Sequence, residues 1–247
     1  MTGTKKIYFA SDMHFGVPGR DDSATRERKF VQWLDRIAGD AGELFLLGDV
    51  FDFWFEYKKV VPKGFVRVLG KLAELSDRGI SLHFFTGNHD LWIRDYLTVE
   101  TGMHLYRSPQ VFERHGKRFL IGHGDGLGPG DPGYKFMKSI FVNPVAQWMF
   151  RWLHPDAGVA LAQYLSRKNK YISGEETPWR GEEEAIIKYC RTYASGERID
   201  FFVFGHRHTP VIYPLDAQGI YVNTGDWLHA YSYAVFDGRD ISLHTWE

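Results

Sequence analysis

Leu44-Phe45-Leu46-Leu47-Gly48-Asp49-Val50-Phe51-Asp52 decides how this chain reads. A short apolar run closed by glycine reads as a buried strand. Carboxylates follow immediately, at the strand exit, which is where an α/β sheet places its chemistry. Four further stretches repeat the arrangement. Ile7-Tyr8-Phe9-Ala10 runs into Ser11-Asp12-Met13-His14, and Leu82-His83-Phe84-Phe85 runs into Thr86-Gly87-Asn88-His89-Asp90. Phe119-Leu120-Ile121 leads to Gly122-His123-Gly124-Asp125, and Phe201-Phe202-Val203-Phe204 leads to Gly205-His206-Arg207-His208.

Helical patterns lie between the early strands. Phe30, Trp33, Leu34, Ile37 and Ala38 fall on one helical face, as do Phe65, Val68, Leu69, Leu72 and Leu75, with Gly79 as a stop. A third helix is expected over Glu182–Tyr193. From Pro210 onward, strand-like runs (Ile220-Tyr221-Val222, Tyr233 to Phe236, Ile241-Ser242-Leu243) are separated by turns such as Asp237-Gly238. The α/β reading is therefore a mixed sheet, or two packed sheets, flanked by helices.

Composition sets the limits. With 247 residues, 44% of them hydrophobic, the chain can build one large domain or a domain carrying an insert, and disorder is excluded as the main state. Lys plus Arg number 30 against 31 Asp plus Glu, which speaks against a globally basic nucleic-acid binder. The single cysteine, Cys190, excludes an intramolecular disulfide and a cysteine-built zinc site. The first apolar run, Ile7–Ala10, is far shorter than a signal-peptide core or a membrane span, so a cytoplasmic chain is expected.

Tyr134–Tyr171 differs in texture. It holds six basic residues, one acid and eight aromatics, and it interrupts the alternation of strand and helix. Pro144 and Pro155 punctuate its helical patches. The expected organisation is a core of residues 1–131 and 181–247 with a helical insert, residues 132–180, lying over the site.

A lone Asp-X-His, or a lone histidine at a strand end, is more often structural than a ligand. Five such clusters together are hard to explain by packing, because buried unpaired carboxylates and imidazoles are costly. Asp12 and His14 are one residue apart, so in extended chain they point the same way, and His206 and His208 repeat that spacing. Asp49 has two oxygens and can bridge two cations. Seven side chains then give four ligands to each: Asp12, His14, Asp49 and His208 for one, and Asp49, Asn88, His123 and His206 for the other. This mix of oxygen and imidazole suits Mn, Fe, Zn or Co rather than calcium. Two such ions can clamp phosphate oxygens and activate a water for in-line attack. His83, His104, His115, His154, His229 and His244 fall outside the pattern and read as ordinary core or surface histidines.

The set Asp12-X-His14, Gly48-Asp49-X-X-Asp52, Gly87-Asn88-His89-Asp90, Gly122-His123-Gly124-Asp125 and Gly205-His206-X-His208 resembles the five blocks of the calcineurin-like metallophosphoesterases. The resemblance implies a four-layer α/β/β/α sandwich and a dinuclear centre with the ligand sets just given. Within that superfamily the chain is most similar to the UDP-2,3-diacylglucosamine hydrolases of lipid A synthesis. The features that carry this are Gly48 to Trp54, the His123-Gly124-Asp125-Gly126-Leu127 block followed by Asp131 and Tyr134, and the insert. Such enzymes release UMP and a diacylated glucosamine 1-phosphate, usually with manganese. The resemblance implies His89 as the catalytic side chain, with Asp52 and Asp90 fixing the orientation of His89 or of the ligand histidines. It implies Asn88, His89, Asp131, Tyr134, Arg167, Asn169, Lys170 and His206 as substrate contacts. Two departures stand out: His89 replaces the Arg common in those hydrolases, and Gly126-Leu127-Gly128-Pro129-Gly130 replaces a threonine-rich loop.

The insert's aromatic and basic residues suit acyl chains and an anionic inner-leaflet surface; the plainer reading is a helical hairpin packed on the sandwich. Two other functions compete with a lipid-linked nucleotide pyrophosphatase. One is a soluble metallophosphoesterase acting on another phosphodiester, phosphomonoester or nucleotide pyrophosphate. The other is a binding scaffold without turnover, against which the filled ligand positions speak.

Overall fold

Strand β1 (Lys6–Ala10) already separates two cores, because alternate side chains leave opposite faces: Ile7 and Phe9 go one way, Tyr8 and Ala10 the other. In the computed structural model, which describes residues 5–166, 178–216 and 219–247, the chain continues through α1 (Ser23–Ile37), β2 (Ala41–Leu46), α2 (Val66–Asp77) and β3 (Ser81–Phe85). Then come α3 (Tyr96–Thr101), β4 (His104–Tyr106), β5 (Gln110–Arg114) and β6 (Lys117–Ile121). Helices α4 (Pro132–Phe141), α5 (Pro144–Phe150) and α6 (Pro155–Ser166) follow, each opening on a proline, whose fixed φ and missing N–H suit the first helical turn. A 3-10 turn at Gly181–Glu183 and α7 (Ala185–Ala194) lead to β7 (Phe201–Phe204), β8 (Val211–Pro214), β9 (Ile220–Asn223), β10 (Ser232–Phe236) and β11 (Ile241–Thr245).

There are two sheets, in the orders β11-β10-β1-β2-β3-β4 and β5-β6-β7-β9-β8. Within the first, β1 to β4 are parallel; within the second, β6, β7 and β9 are. Parallel pairing brings the exits of β1, β2 and β3 to one edge of their sheet, and those of β6 and β7 to one edge of theirs. Outside the first sheet, α1 and α2 pack Phe30, Trp33, Leu34, Val68 and Leu72 against Tyr8, Leu44 and Leu46. Between the sheets, Phe9, Phe45 and Leu47 meet Phe119, Phe201 and Val203. Outside the second, Ile187 and Cys190 of α7 cover Leu120, Phe202 and Tyr221. The layers are thus α/β/β/α. Among the described residues no helix is long and apolar enough to cross a membrane.

One helix differs from its sequence expectation. It starts at Ala185, not Glu182, because Glu184 is extended (φ −61°, ψ 132°). Its carboxylate is taken by Arg207 instead, at 2.8 Å.

An ion pair ties the sheets together away from the site. Glu43 on β2 accepts Arg114 Nε of β5 at 2.7 Å, and its other oxygen lies 3.2 Å from His83 Nε2. Burial opposes ionisation, yet the contacts with His83 and Arg114 outweigh it and hold the Glu43 carboxyl at about 2. A carboxylate held below its unfolded value of about 4.3 stabilises the fold fully above that pH and loses the contribution as pH falls toward 2. Glu43→Gln is therefore expected to lower stability at pH 7 by on the order of 2 kcal/mol. It should also flatten the acid limb of the stability profile, as read by urea denaturation between pH 7 and pH 3.

Candidate metal centre

Five of the seven candidate ligands sit in the left-handed region of backbone space, Asp12 (φ 57°), His14 (45°), Asp49 (52°), His206 (67°) and His208 (56°). Non-glycine residues adopt this region at a cost, and such strain gathers where side-chain aim matters. Backbone bonds hold the turns together: Asp12 N donates to Gly48 O at 3.1 Å and His14 N to Asp49 O at 2.9 Å. Gly87 permits a close approach, since a Cβ there would lie 2.2 Å from Asp49 Oδ1.

The side chains converge. Asp12, His14 and Asp49 are almost wholly buried, at 0–1% exposure, and His123 is buried beside them. His208 Nε2 lies 3.2 Å from Asp12 Oδ1 and 3.4 Å from His14 Nε2. His14 Nε2 is 3.8 Å from Asp49 Oδ2, which is 3.4 Å from His123 Nε2; that nitrogen is 3.2 Å from Asn88 Oδ1. Asp49, His123 and His206 form a second group able to hold an ion, beside Asp12, His14 and His208. A third, His14, Asp49 and His89, shares members with both sides. Neighbouring ligands at roughly 2.1 Å from one ion stand about 3.0–3.4 Å apart in tetrahedral or octahedral geometry. His208 to Asp12 and His14, and His123 to Asp49 and Asn88, stand at that spacing, while His14 lies farther, 3.8 Å from Asp49 and 3.9 Å from Asp12. The donor set fits a pair of divalent cations with Asp49 between the two groups.

The rings are held from behind. His123 Nδ1 pairs with Leu47 O at 2.7 Å, His208 Nδ1 lies 3.4 Å from Asp226 Oδ2, and His14 Nδ1 lies 3.6 Å from Asp52 Oδ1. The hydrogen bond to Leu47 O fixes the His123 tautomer and aims its Nε2 inward, and the carboxylates of Asp226 and Asp52 face the other two rings from behind. Asp49 Oδ1 accepts His89 N at 2.8 Å and Asp12 Oδ2 accepts His206 N at 2.9 Å.

Charge is concentrated here. Burial pushes His89 down, but the carboxylates of Asp49 and Asp52 raise it to about 9. Burial likewise opposes the Asp52 charge, and its contacts with His14 and His89 still hold it far below the usual carboxylate range. Burial and the neighbouring Asp49 charge lift Asp90 to about 7. Burial, with the His123 charge, lowers His206 to about 4.

His89 Nδ1 stands 3.0 Å from Asp52 O and 3.3 Å from Asp52 Oδ1. Asp90 differs from the sequence expectation. Its two oxygens accept Gly87 N at 2.7 Å and Val50 N at 2.9 Å, so it staples the β2 and β3 exits together rather than orienting a ring. Asp131 caps α4 by accepting Tyr134 N at 3.0 Å, and Tyr134 OH donates to Asp125. Asn88, His89, Asp131, Tyr134 and His206 all line one cavity of about 960 Å³. Its apolar wall comes from Phe53, Trp92, Met137, Phe141, Phe150 and Leu161. Arg167, Asn169 and Lys170 lie outside the described residues. His83 pairs with Glu43 and Tyr106, as an ordinary core histidine would.

Sequence reasoning passed over Asp226, which also accepts His229 N and Ala230 N at 2.8 Å. The signal was present: Ile220-Tyr221-Val222 followed by Gly225-Asp226 is one more apolar run that ends on a glycine and a carboxylate. Arg26, fully buried, was also missed, because a lone arginine in an amphipathic helix reads as a solvated face.

The sequence model of calcineurin-like phosphoesterases matches residues 5–210. The UDP-2,3-diacylglucosamine hydrolase of Porphyromonas gingivalis is 40% identical to this chain, with 98% of each covered. The protein of the same name from Pseudomonas putida is 28% identical over 90% of each. Among solved structures, Yfce, a phosphoesterase from E. coli, superposes with a TM-score of 0.50 at 16% identity, covering 98% of this chain and 93% of that one, a likeness of fold. With its strand exits, its layers and most of its length matched in this way, the chain belongs to the calcineurin-like phosphoesterase family.

Proposed function

We propose that this protein hydrolyses the pyrophosphate of UDP-2,3-diacylglucosamine to UMP and 2,3-diacylglucosamine 1-phosphate (lipid X), a step of lipid A biosynthesis. The observation that carries the reading is the 40% identity, end to end, with a hydrolase of that name. A cavity whose polar floor includes Asn88, His89 and His206 and whose wall is aromatic suits a diphosphate joined to acyl chains. Helices α4 to α6, whose Tyr134, Phe141, Phe150 and Leu161 line the cavity, then act as a cap over the site.

Asp12, His14, Asp49 and His208 would hold one cation, and Asp49, Asn88, His123 and His206 the other, with manganese the preferred metal. When bound, the pair supplies charge for the phosphate oxygens and an acidified water. The chain does the rest. Asp49 sits between the two sets and fixes their spacing. Asp52 holds His89 by Nδ1, and His89 gives a proton or a hydrogen bond to the oxygen that leaves phosphorus. One P–O bond forms to water and one breaks, so UMP and the sugar phosphate part without a further reactant. The apolar wall excludes water from the acyl end.

Incubation of the manganese-loaded protein with UDP-2,3-diacylglucosamine, followed by product analysis, tests this. UMP release is expected. Turnover confined to a generic chromogenic phosphodiester would reassign the protein to another phosphoesterase specificity, and no turnover of either would make it a binding scaffold.

The insert carries the protein to its substrate. Phe136 (69% exposed), Trp148 and Trp152 (76% exposed) stand outward on or just beyond α4 and α5, near Lys135 and Arg151. Aromatics beside basic residues suit an anionic bilayer surface. The proposed location is therefore cytoplasmic and peripheral, on the cytoplasmic face of the inner membrane. Wild type should sediment with phosphatidylglycerol-containing vesicles, and Trp148→Ser with Trp152→Ser should weaken that binding at least about tenfold, given 1.5–3 kcal/mol for each buried large side chain. Equal sedimentation of both proteins would remove this face from the reading.

A further inference from the structure

The two proposed cation sets are supported by different parts of the molecule. The loop that carries Asp12 and His14 is held from within the core. Arg26 of α1 donates to Met13 O at 2.9 Å, His14 O at 2.8 Å, Val17 O at 2.6 Å and Asp21 O at 3.0 Å. Among the described residues no part of the insert takes part in that cradle, and His208 leans on Asp226, beyond β9.

Asn88, His123 and His206, the three residues found only in the second set, sit on loops that touch the insert or the arm returning from it. Four residues after Asn88, Trp92 Nε1 donates to Phe141 O, at the end of α4, at 2.7 Å. Two residues after His123, the buried carboxylate of Asp125 accepts Lys138 Nζ at 2.5 Å and the hydroxyl of Tyr134, both on α4. Between His206 and His208, Arg207 donates to Glu184 (Nη2 to Oε1 2.8 Å, Nε to Oε2 3.2 Å) and to Pro178 O at 3.0 Å. The His208 ring has a support of its own in Asp226, with Nδ1 3.4 Å from Oδ2. The return arm is pressed onto the His123 side as well: a Cβ on Gly128 would lie 2.0 Å from Ala185 O.

We propose that Lys138 and Glu184 are positioning residues through which the seated insert sets the geometry of the second cation site, the one completed by Asn88, His123 and His206, while the first site forms independently of the insert. The inference rests on the two-cation reading above and extends it. The two sites then differ in kind: the first belongs to the sandwich, and the second is sensitive to whatever moves the insert.

Mn2+ alone, titrated into metal-free full-length protein and followed by calorimetry and electron paramagnetic resonance, separates the possibilities. Wild type is expected to take two ions and to show a spin-coupled spectrum. In Lys138→Met, one ion should bind with unchanged affinity and the other at least about tenfold more weakly, the scale of losing an outer-shell partner. The single-ion six-line spectrum should then appear at intermediate loading. Lys138→Arg should restore the wild-type pattern, which a general loss of packing would not. Glu184→Gln should repeat the selective loss from the other root of the insert, and it decides the matter if Lys138→Met does not fold. The intact first site reports a folded core in either variant. Equal weakening of both ions, or two unchanged ions in both variants, overturns the inference. A wild type that holds only one ion overturns the two-cation reading and this inference with it.

Discussion

Asp49→Ala is expected to cost at least about a thousandfold in UMP release, the equivalent of several kcal/mol of transition-state charge stabilisation. Asp49 Oδ2 lies 3.8 Å from His14 Nε2 on one side and 3.4 Å from His123 Nε2 on the other, and of the seven candidate ligands it alone belongs to both sets. Its Oδ1 also accepts His89 N, so the same side chain anchors the start of the Asn88–His89 turn. Removing it leaves two three-ligand remnants around imidazoles that would repel one another once protonated. Manganese stoichiometry should fall from two to one or none, and added manganese should not restore turnover. Chelation of the wild type should stop turnover in the same way, but there manganese should restore it. Two retained ions with wild-type hydrolysis in Asp49→Ala would end the dinuclear account.

The candidate site is legible in the sequence because its residues are tied to strand ends by local rules. An apolar run must stop somewhere, and a strand end that carries Asp, Asn or His has no packing reason to do so five times. Short-range pattern also located α1 and most of α2, whose apolar stripes are what bind them to the first sheet. What it left open was set by partners distant in the chain. The β10–β1 pair, with Ile7 opposite Phe236, joins the two ends of the molecule, and no local signal specifies it. The choice between one mixed sheet and two sheets turns on such pairings. Glu184 has helix-forming chemistry but leaves the helix because Arg207, 23 residues on, offers a charged fork. From sequence Asp90 reads as a partner for a ring, yet its place between Gly87 N and Val50 N depends on how β2 and β3 align.

His89→Ala is expected to lower kcat by roughly 10²–10⁴, the range for a positioned proton donor, while both manganese ions remain. Three observations converge on this side chain. Asp52 engages Nδ1 at 3.3 Å, which gives the ring one orientation. Its edge contact with His14, 4.7 Å between ring centres, sets it against the first cation set. It also lines the cavity that the substrate would fill. The geometry permits a competing role, because His89 can join His14 and Asp49 around an ion. Metal content separates the two. A ligand's removal takes an ion with it and lowers turnover through that loss, whereas a proton donor's removal leaves two ions and a slow step. His89→Arg sharpens the distinction, since a guanidinium offers phosphate a fixed double donor but cannot hand over a proton at neutral pH. Two ions with substantial turnover in His89→Arg would mean that charge and hydrogen bonding are what the reaction needs from this position. Two ions with turnover as low as in His89→Ala would mean that it needs the proton. Wild-type turnover in His89→Ala would remove the residue from the mechanism altogether.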